Sequence, residues 1–208
     1  MTKSVCRVLV TGANGFVGKN LLARMSELPG FVVSTFVRGD QVESLPSLVA
    51  QADAVVHLAG ENRPQNDSAF GAVNAGLTVT LCDAIRNEVK RTGRQLVMLL
   101  ASSTQAEVDN AYGASKLAAE HAVQMLAADV GCPVVVFRLP GVFGKWSRPH
   151  YNSVVATFCH NIACGLPIEI NDRSTSLRLV YIDDVVNAFL DALASNSPGM
   201  STGLVQPE

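Results

Sequence analysis

Gly12-Ala-Asn-Gly15-Phe-Val-Gly18 stands between a β-branched run, Val5–Val10, and a helical apolar pattern at Leu21, Leu22, Met25 and Leu28. That placement narrows the possible folds more than any other segment of the chain. Glycines at the turn from a strand into a helix allow a tight bend and close backbone approach to a ligand. The helix N-terminus behind them offers free N–H groups and a partial positive charge, which suits a pyrophosphate. The spacing is G-x-x-G-x-x-G, whereas the common dehydrogenase fingerprint is G-x-G-x-x-G. Gly12, Asn14, Gly15, Phe16, Val17 and Gly18 are therefore candidate cofactor-binding residues.

The alternation continues along the chain. Phe31–Val37 reads as a strand, Val42–Gln51 as a short helix and Ala54–Leu58 as a third strand. A long helical stretch runs from Asp67 to about Arg91 and ends near Gly93. Leu96–Leu100 is a fourth strand, Ala111–Ala128 an alanine-rich helix closed by Gly131, and Val134–Phe137 a fifth strand. Such alternation implies right-handed crossovers and a parallel sheet. The expected class is α/β, a Rossmann-type doubly wound sheet with helices on both faces. A content of 48% hydrophobic and 16% charged residues over 208 positions suits a sheet covered on both sides.

The order changes after Pro140. A Gly/Trp/Arg/Pro/Asn-rich loop reaches Asn152, and a helix is expected over Ser153–Cys164. Ile168–Ile170 and Leu177–Tyr181 read as short strands, followed by a helix from about Asp183 to Ala194 capped by Asp183 or Asp184. Residues 1–140 are expected to bind the dinucleotide, and residues 141–208 to form a small substrate region packed partly on it.

The formal net charge of −2 gives no electrostatic case for nucleic acid or an anionic membrane. No apolar run is long enough to span a bilayer and no signal-peptide pattern opens the chain, so a cytoplasmic location is expected. Cys6, Cys82, Cys132, Cys159 and Cys164 are dispersed and read as reduced thiols. The spacing of Cys159, His160 and Cys164 fits no common zinc pattern; these are expected to be buried helix residues, and no metal is expected.

Tyr112-Gly-Ala-Ser-Lys116 puts a phenol and an ammonium one helical turn apart. A nearby cation favours the phenolate and is expected to lower the tyrosine pKa, making Tyr112 a usable proton donor near neutrality. Ser103, nine residues earlier, is the candidate active hydroxyl, with Ser102 and Thr104 left open. Arg38 ends the second strand, where an acid would bind the 2′-hydroxyl of NAD and an arginine suits a 2′-phosphate. NADP(H) is favoured; Asp40, two residues on, keeps NAD(H) open.

The glycine loop, Ser103 and the Tyr112/Lys116 pair together resemble the extended short-chain dehydrogenase/reductase superfamily, which includes the NAD-dependent epimerases and dehydratases. Val55-Val-His57-Leu-Ala-Gly60 and Arg138-Leu-Pro-Gly-Val-Phe-Gly144 resemble its third- and fifth-strand ends. His57-Leu-Ala-Gly-Glu-Asn-Arg-Pro64, Asp109-Asn-Ala-Tyr-Gly-Ala-Ser-Lys116 and the segment Phe143–Cys159 look like the reductase half of capsular-polysaccharide and O-antigen enzymes of the UDP-N-acetyl-L-fucosamine pathway.

The resemblance implies an NADPH-dependent reductase of a 4-keto-6-deoxy sugar, UDP-linked, serving surface polysaccharide synthesis. It implies that Tyr112 acts as the acid, Lys116 tunes it and holds the nicotinamide ribose, and Ser103 orients the carbonyl. Leu58, Ala59, Gly60 and Leu139 would line the cofactor. Asn74, Trp146, Arg148, Tyr151 and Asn152 would serve the substrate side. His57 is expected to pack at its strand end. A homodimer through the Asn74 and Tyr112 helices is expected by the same resemblance. So is a C-terminal cupin domain, which these 208 residues do not contain; because the chain also stops soon after the final helix, the substrate region is expected to be incomplete. Gly141 replaces a family asparagine, and Arg178 and Arg173 compete for a diphosphate role. Two other functions compete: a nucleotide-sugar 4-epimerase or dehydratase with bound NAD, and a non-catalytic NADP-binding domain.

Overall fold

The computed structural model describes residues 5–61, 71–195 and 201–203, with backbone alone for 71–73 and 201–203. Strands β1 (Cys6–Thr11), β2 (Phe31–Phe36), β3 (Ala54–His57), β4 (Val97–Ser103), β5 (Val134–Leu139) and β8 (Ser201–Gly203) form one parallel sheet in the order β2-β1-β3-β4-β5-β8. A second, two-stranded parallel sheet joins β6 (Gly141–Phe143) to β7 (Leu179–Tyr181). The helices are α1 (Phe16–Glu27), α2 (Leu45–Gln51), α3 (Leu77–Thr92), α4 (Ala111–Val130), α5 (Val154–Ala163) and α6 (Ile182–Ala194).

Period-two alternation builds a core on each face. On β1, Leu9 packs with Leu45, Leu81, Ile85 and Leu126, while Val8 and Val10 pack with Leu21, Met25, Val185 and Phe189 on the other side. On β4, Met98 and Leu100 join the first core and Leu99 the second. Helices α2, α3 and α4 therefore cover one face, and α1 and α6 the other. Each such fully buried side chain contributes about 1.5–3 kcal/mol. The Phe137 and Phe189 rings, 4.7 Å apart and edge-on, tie α6 to β5.

From β1 the chain goes first to β2 on one side and then, after α2, to β3 on the other. Strand ends diverge at such a switch point, and ligands bind in the crevice it leaves at the carboxyl edge. Thr11 lies level with Phe36 and His57, and Ser103 with Leu139, so the Gly12 loop, Arg38, the 58–61 segment and Ser103 share one edge.

Several elements differ from expectation. Val42–Ser44 is a 3-10 turn, and α2 begins only where Pro46 can occupy its first turn. The start of the expected Asp67 helix lies outside the described residues; a π-helical turn, Gly71–Gly76, leads into α3, which Gly93 ends at φ 70°. Both β4 and β5 run further than expected, to Ser103 and Leu139, and β6 and β8 were not foreseen. Ile168–Ile170 is not a strand: β7 takes the place beside β6, and both isoleucines are exposed. Helix α6 starts after Tyr181, so Asp183 and Asp184 stand in its first turn, where the helix dipole favours them. Cys159, His160 and Cys164 are exposed rather than buried: α5 buries none of its residues, and Cys164 caps its end.

Candidate active site

The glycine loop has no room for side chains. Gly12 has φ +69°, and a Cβ there would lie 2.6 Å from the Ala59 nitrogen. A Cβ on Gly18 would lie 2.5 Å from the Gly12 carbonyl oxygen. Gly15 caps α1, and no acidic residue sits in the first turn. Helix bonding starts with Lys19 N–H donating to Gly15 O, so the N–H groups of Phe16, Val17 and Gly18 have no partner within the helix. Asn14 is exposed at the tip. The arrangement fits a pyrophosphate: close backbone approach, spare N–H donors and no acidic side chain in the first turn of the helix.

At the end of β2, Arg38 is extended into solvent, yet its guanidinium lies 2.5 Å from Glu61. Asp40 is held by its own turn, its carboxylate accepting from Val37 N–H at 2.7 Å.

The β3 end is fixed by a directed chain of hydrogen bonds. The Thr78 hydroxyl donates to Asn74 O at 2.6 Å, so it accepts from His57 Nε2–H at 2.9 Å. His57 Nδ1 is then an acceptor, taking the Thr11 hydroxyl hydrogen at 2.6 Å, and Thr11 Oγ1 in turn accepts from Ala59 N–H at 3.2 Å. This tautomer follows from the donors available around the ring. Burial, with the Lys116 charge adding to it, holds the His57 pKa down to about 3. His57 thus packs at the strand end as a neutral ring.

Asn74 grips the next residue. Its Oδ1 accepts from Glu61 N–H at 2.7 Å, and its Nδ2 donates to Glu61 O and to Ser115 Oγ at 3.1 and 3.0 Å. Only 2% of Asn74 is exposed. The Ser115 hydroxyl donates to Tyr112 O at 2.7 Å, so the clamp extends to α4. Gly60 fills the gap between; a Cβ there would lie 3.1 Å from Asn74 Oδ1 and 3.2 Å from Lys116 Nζ.

Ser103 and Tyr112 share a hydrogen bond. Ser103 Oγ also accepts from Gln105 N–H at 3.1 Å, fixing its rotamer. Ser102 faces the other way on β4 and donates to the Glu120 carboxylate, while Thr104 is exposed. Glu120 is 2% exposed and is bound by Arg138 at 2.7 Å, which also reaches Glu107. Spacing gave no warning of this network. Its one local sign is Glu120 standing four residues after Lys116, on the same helix face.

The expected lowering of the Tyr112 pKa by Lys116 is not what the geometry produces. Burial raises the Tyr112 pKa, and the Ser103 hydrogen bond is the opposing influence. The Lys116 ammonium turns to Ala101 O at 3.3 Å and stands 5.8 Å from the Tyr112 ring centre. Burial brings its own pKa down to about 8, against an opposing pull from Glu120.

Beyond buried Leu139, the substrate-side residues lie along one loop. Trp146 is exposed with φ 68°. The Arg148 guanidinium covers the Tyr151 ring at 5.4 Å, and the Tyr151 hydroxyl donates to Glu61 at 3.3 Å. Asn152 is exposed, as are Arg173 and Arg178. A Cβ on Gly141 would lie 2.9 Å from Leu179 Cδ2, the movable end of a side chain, and 3.2 Å from Arg178 O.

Residues 8–202 match the NAD dependent epimerase/dehydratase family. The chain belongs to the NAD dependent epimerase/dehydratase family. Within that family, it is 51% identical over 202 residues to a Pseudomonas aeruginosa UDP-2-acetamido-2,6-beta-L-arabino-hexul-4-ose reductase, covering 97% of this chain and 53% of that protein. The capsular polysaccharide assembling protein CapF from Staphylococcus aureus superposes with a TM-score of 0.77 at 39% identity, over 94% of this chain and 53% of that one. The chain spans about half the length of these two relatives. A UDP-glucuronic acid 4-epimerase from Bacillus cereus, in complex with UDP-glucuronic acid and NAD, shares the fold: TM-score 0.84, 18% identity, 97% of this chain and 78% of that one. No helix among the described residues is long and apolar enough to cross a membrane.

Proposed function

We propose that this chain carries the reductase centre for the C4 ketone of a UDP-linked 6-deoxy sugar, working with NADPH in surface polysaccharide precursor synthesis. The observation that carries this reading is the Ser103–Tyr112 hydrogen bond beside Lys116 at the carboxyl edge of the sheet. The Pseudomonas relative, named as a UDP-2-acetamido-2,6-beta-L-arabino-hexul-4-ose reductase, supports the substrate class.

The residues present fit a dinucleotide. The Gly12–Gly18 turn would hold the pyrophosphate, with Leu58, Ala59, Gly60 and Leu139 along the strand ends. Arg38 would meet a 2′-phosphate, and because Asp40 is committed to Val37, NADP(H) is favoured over NAD(H). When bound, the dihydronicotinamide supplies the hydride. Tyr112 gives its hydroxyl proton to the carbonyl oxygen, completing the alcohol. The Ser103 hydroxyl donates to that same oxygen and holds it in line. The Lys116 ammonium stabilises the tyrosinate left behind until solvent returns the proton. Asn74 positions the Gly60–Glu61 segment and α4. Trp146, Arg148, Tyr151 and Asn152 would face the nucleotide sugar, with residues 1–140 as the cofactor part and 141–208 as the substrate part.

A homodimer would use the outer faces of α3 and α4, where Val79 and Met125 are exposed. A cupin domain would supply C3 epimerisation. The deciding experiment is NADPH oxidation by the purified chain with a UDP-4-keto-6-deoxy sugar, against an alanine scan of Ser103, Tyr112 and Lys116. Turnover lost in all three variants is expected. Co-purified NAD with no NADPH oxidation would point to an epimerase instead and overturn the proposal.

A further inference from the structure

Glu61 joins two parts of the site that lie far apart in sequence. Its Oε2 lies 2.5 Å from the Arg38 guanidinium, at the end of β2. Its Oε1 accepts from the Tyr151 hydroxyl at 3.3 Å, in the loop before α5. The Glu61 main chain is gripped at both N–H and C=O by buried Asn74. The Glu61 side chain is 15% exposed and that of Arg38 86%, so the acid is the anchored partner and the arginine the movable one.

The chemistry of the pair bears on both neighbours. Arg38 and Glu61 neutralise each other in the protein alone. A 2′-phosphate carries a charge of about −1.5 to −2 and offers the guanidinium a stronger, forked partner. It must compete with Glu61 for Arg38 and is repelled by the same carboxylate. A 2′-hydroxyl makes no such demand and leaves the pair intact. Once Arg38 turns to a phosphate, Tyr151 remains the polar partner of a fixed carboxylate. A hydrogen bond to an uncompensated anion is stronger than one to a neutralised anion. The Tyr151 loop is then held more firmly.

We propose that Glu61 is a specificity-determining positioning residue that couples the 2′-substituent of the dinucleotide to the placement of the 144–152 loop. The inference rests on the reading of Arg38 as the residue facing the 2′-position. By linkage, whatever seats the loop on Glu61 also favours the 2′-phosphate.

The test needs neither sugar nor turnover. The binding of 2′,5′-ADP and of 5′-ADP is measured by calorimetry on the full chain and on its Glu61→Gln, Arg38→Ala and Tyr151→Phe variants. Glu61→Gln keeps the side-chain shape while removing the competing charge. It is expected to tighten 2′,5′-ADP by about fivefold and to leave 5′-ADP unchanged, as expected for one ion pair whose arginine is exposed. Arg38→Ala is expected to abolish the preference for 2′,5′-ADP. Trp146, the chain's single tryptophan, lies in the same loop and reports its placement by fluorescence. Its emission is expected to respond to 2′,5′-ADP in the wild type and not in Tyr151→Phe. Glu61→Asp, too short to reach both partners, guards against a folding artefact and should also uncouple the loop. A preference unchanged in both Glu61 variants overturns the proposal, as does a Trp146 response that survives Tyr151→Phe. If the wild-type chain prefers 5′-ADP, the NADP(H) reading falls and takes this inference with it. Tight 2′,5′-ADP binding with an unchanged ratio overturns this inference alone.

Discussion

Lys116 holds its ammonium 5.8 Å from the centre of the Tyr112 ring, close enough to act on a tyrosinate yet turned toward the Ala101 carbonyl oxygen. Burial raises the Tyr112 pKa and brings that of Lys116 down to about 8. The phenol therefore keeps its proton across the working range, and the ammonium is the group that titrates first. Ketone reduction is expected to lose rate as pH rises through about 8, where Lys116 becomes neutral. Rate measurements between pH 6 and 10 should show that limb, and Lys116→Met should lower the rate and flatten the profile. Tyr112→Phe should cost a factor of about 10²–10⁴ in kcat at every pH.

Neighbouring serines give an internal control. Ser103→Ala removes the hydroxyl bonded to Tyr112 and is expected to lower kcat by about 10²–10³ with little change in stability. Ser102→Ala removes a donor to buried Glu120 and should instead destabilise the fold by about 1–3 kcal/mol. Denaturant midpoints and kcat, measured on both variants, check the division.

The His57 network predicts sensitivity to acid. Its pKa is about 3 in the fold against 6.5 for the free group, so between these values the unfolded chain binds a proton that the folded chain refuses. Stability contributed by the neutral ring is full above pH 6.5 and falls as pH drops toward 3. The loss between pH 7 and 5 is expected to be about 2 kcal/mol from this residue. His57→Gln keeps one donor and one acceptor but cannot take up the proton. It should be less stable at pH 7 and show a shallower slope in denaturation measured from pH 7 to 5.

Gly12→Ala tests the cradle. The new Cβ meets the Ala59 nitrogen at 2.6 Å in a left-handed backbone. Melting should reveal a loss of at least about 2 kcal/mol, and dinucleotide affinity measured by calorimetry should collapse.

Much of this architecture is legible in residue order because it is local. Strand and helix periods at Val8–Val10 and Leu21–Met25 depend only on neighbours along the chain, and so does the glycine spacing at Gly12, Gly15 and Gly18. The Tyr112/Lys116 spacing survives for the same reason, since one turn of α4 sets it. Strand β8 was not legible: Ser201–Gly203 carries no β-branched run, and only the open edge of β5 makes it a strand.

Sequence alone determined the sheet-and-helix alternation, the phosphate-type turn and a phenol one turn from an ammonium. The tertiary structure decided what each group faces. Strand alternation at β4 turns Ser103 to Tyr112 and Ser102 to Glu120. Packing of β3 beside β1 buries His57 between Thr11 and Thr78, and that burial keeps the ring neutral. The same edge brings Glu61 against Arg38 and Tyr151, residues that lie 23 and 90 positions away. Charge and hydrogen-bond partners act over a few ångströms of space. Sequence periodicity reports only the chain's own path, so these pairings appear only when the strand order is known.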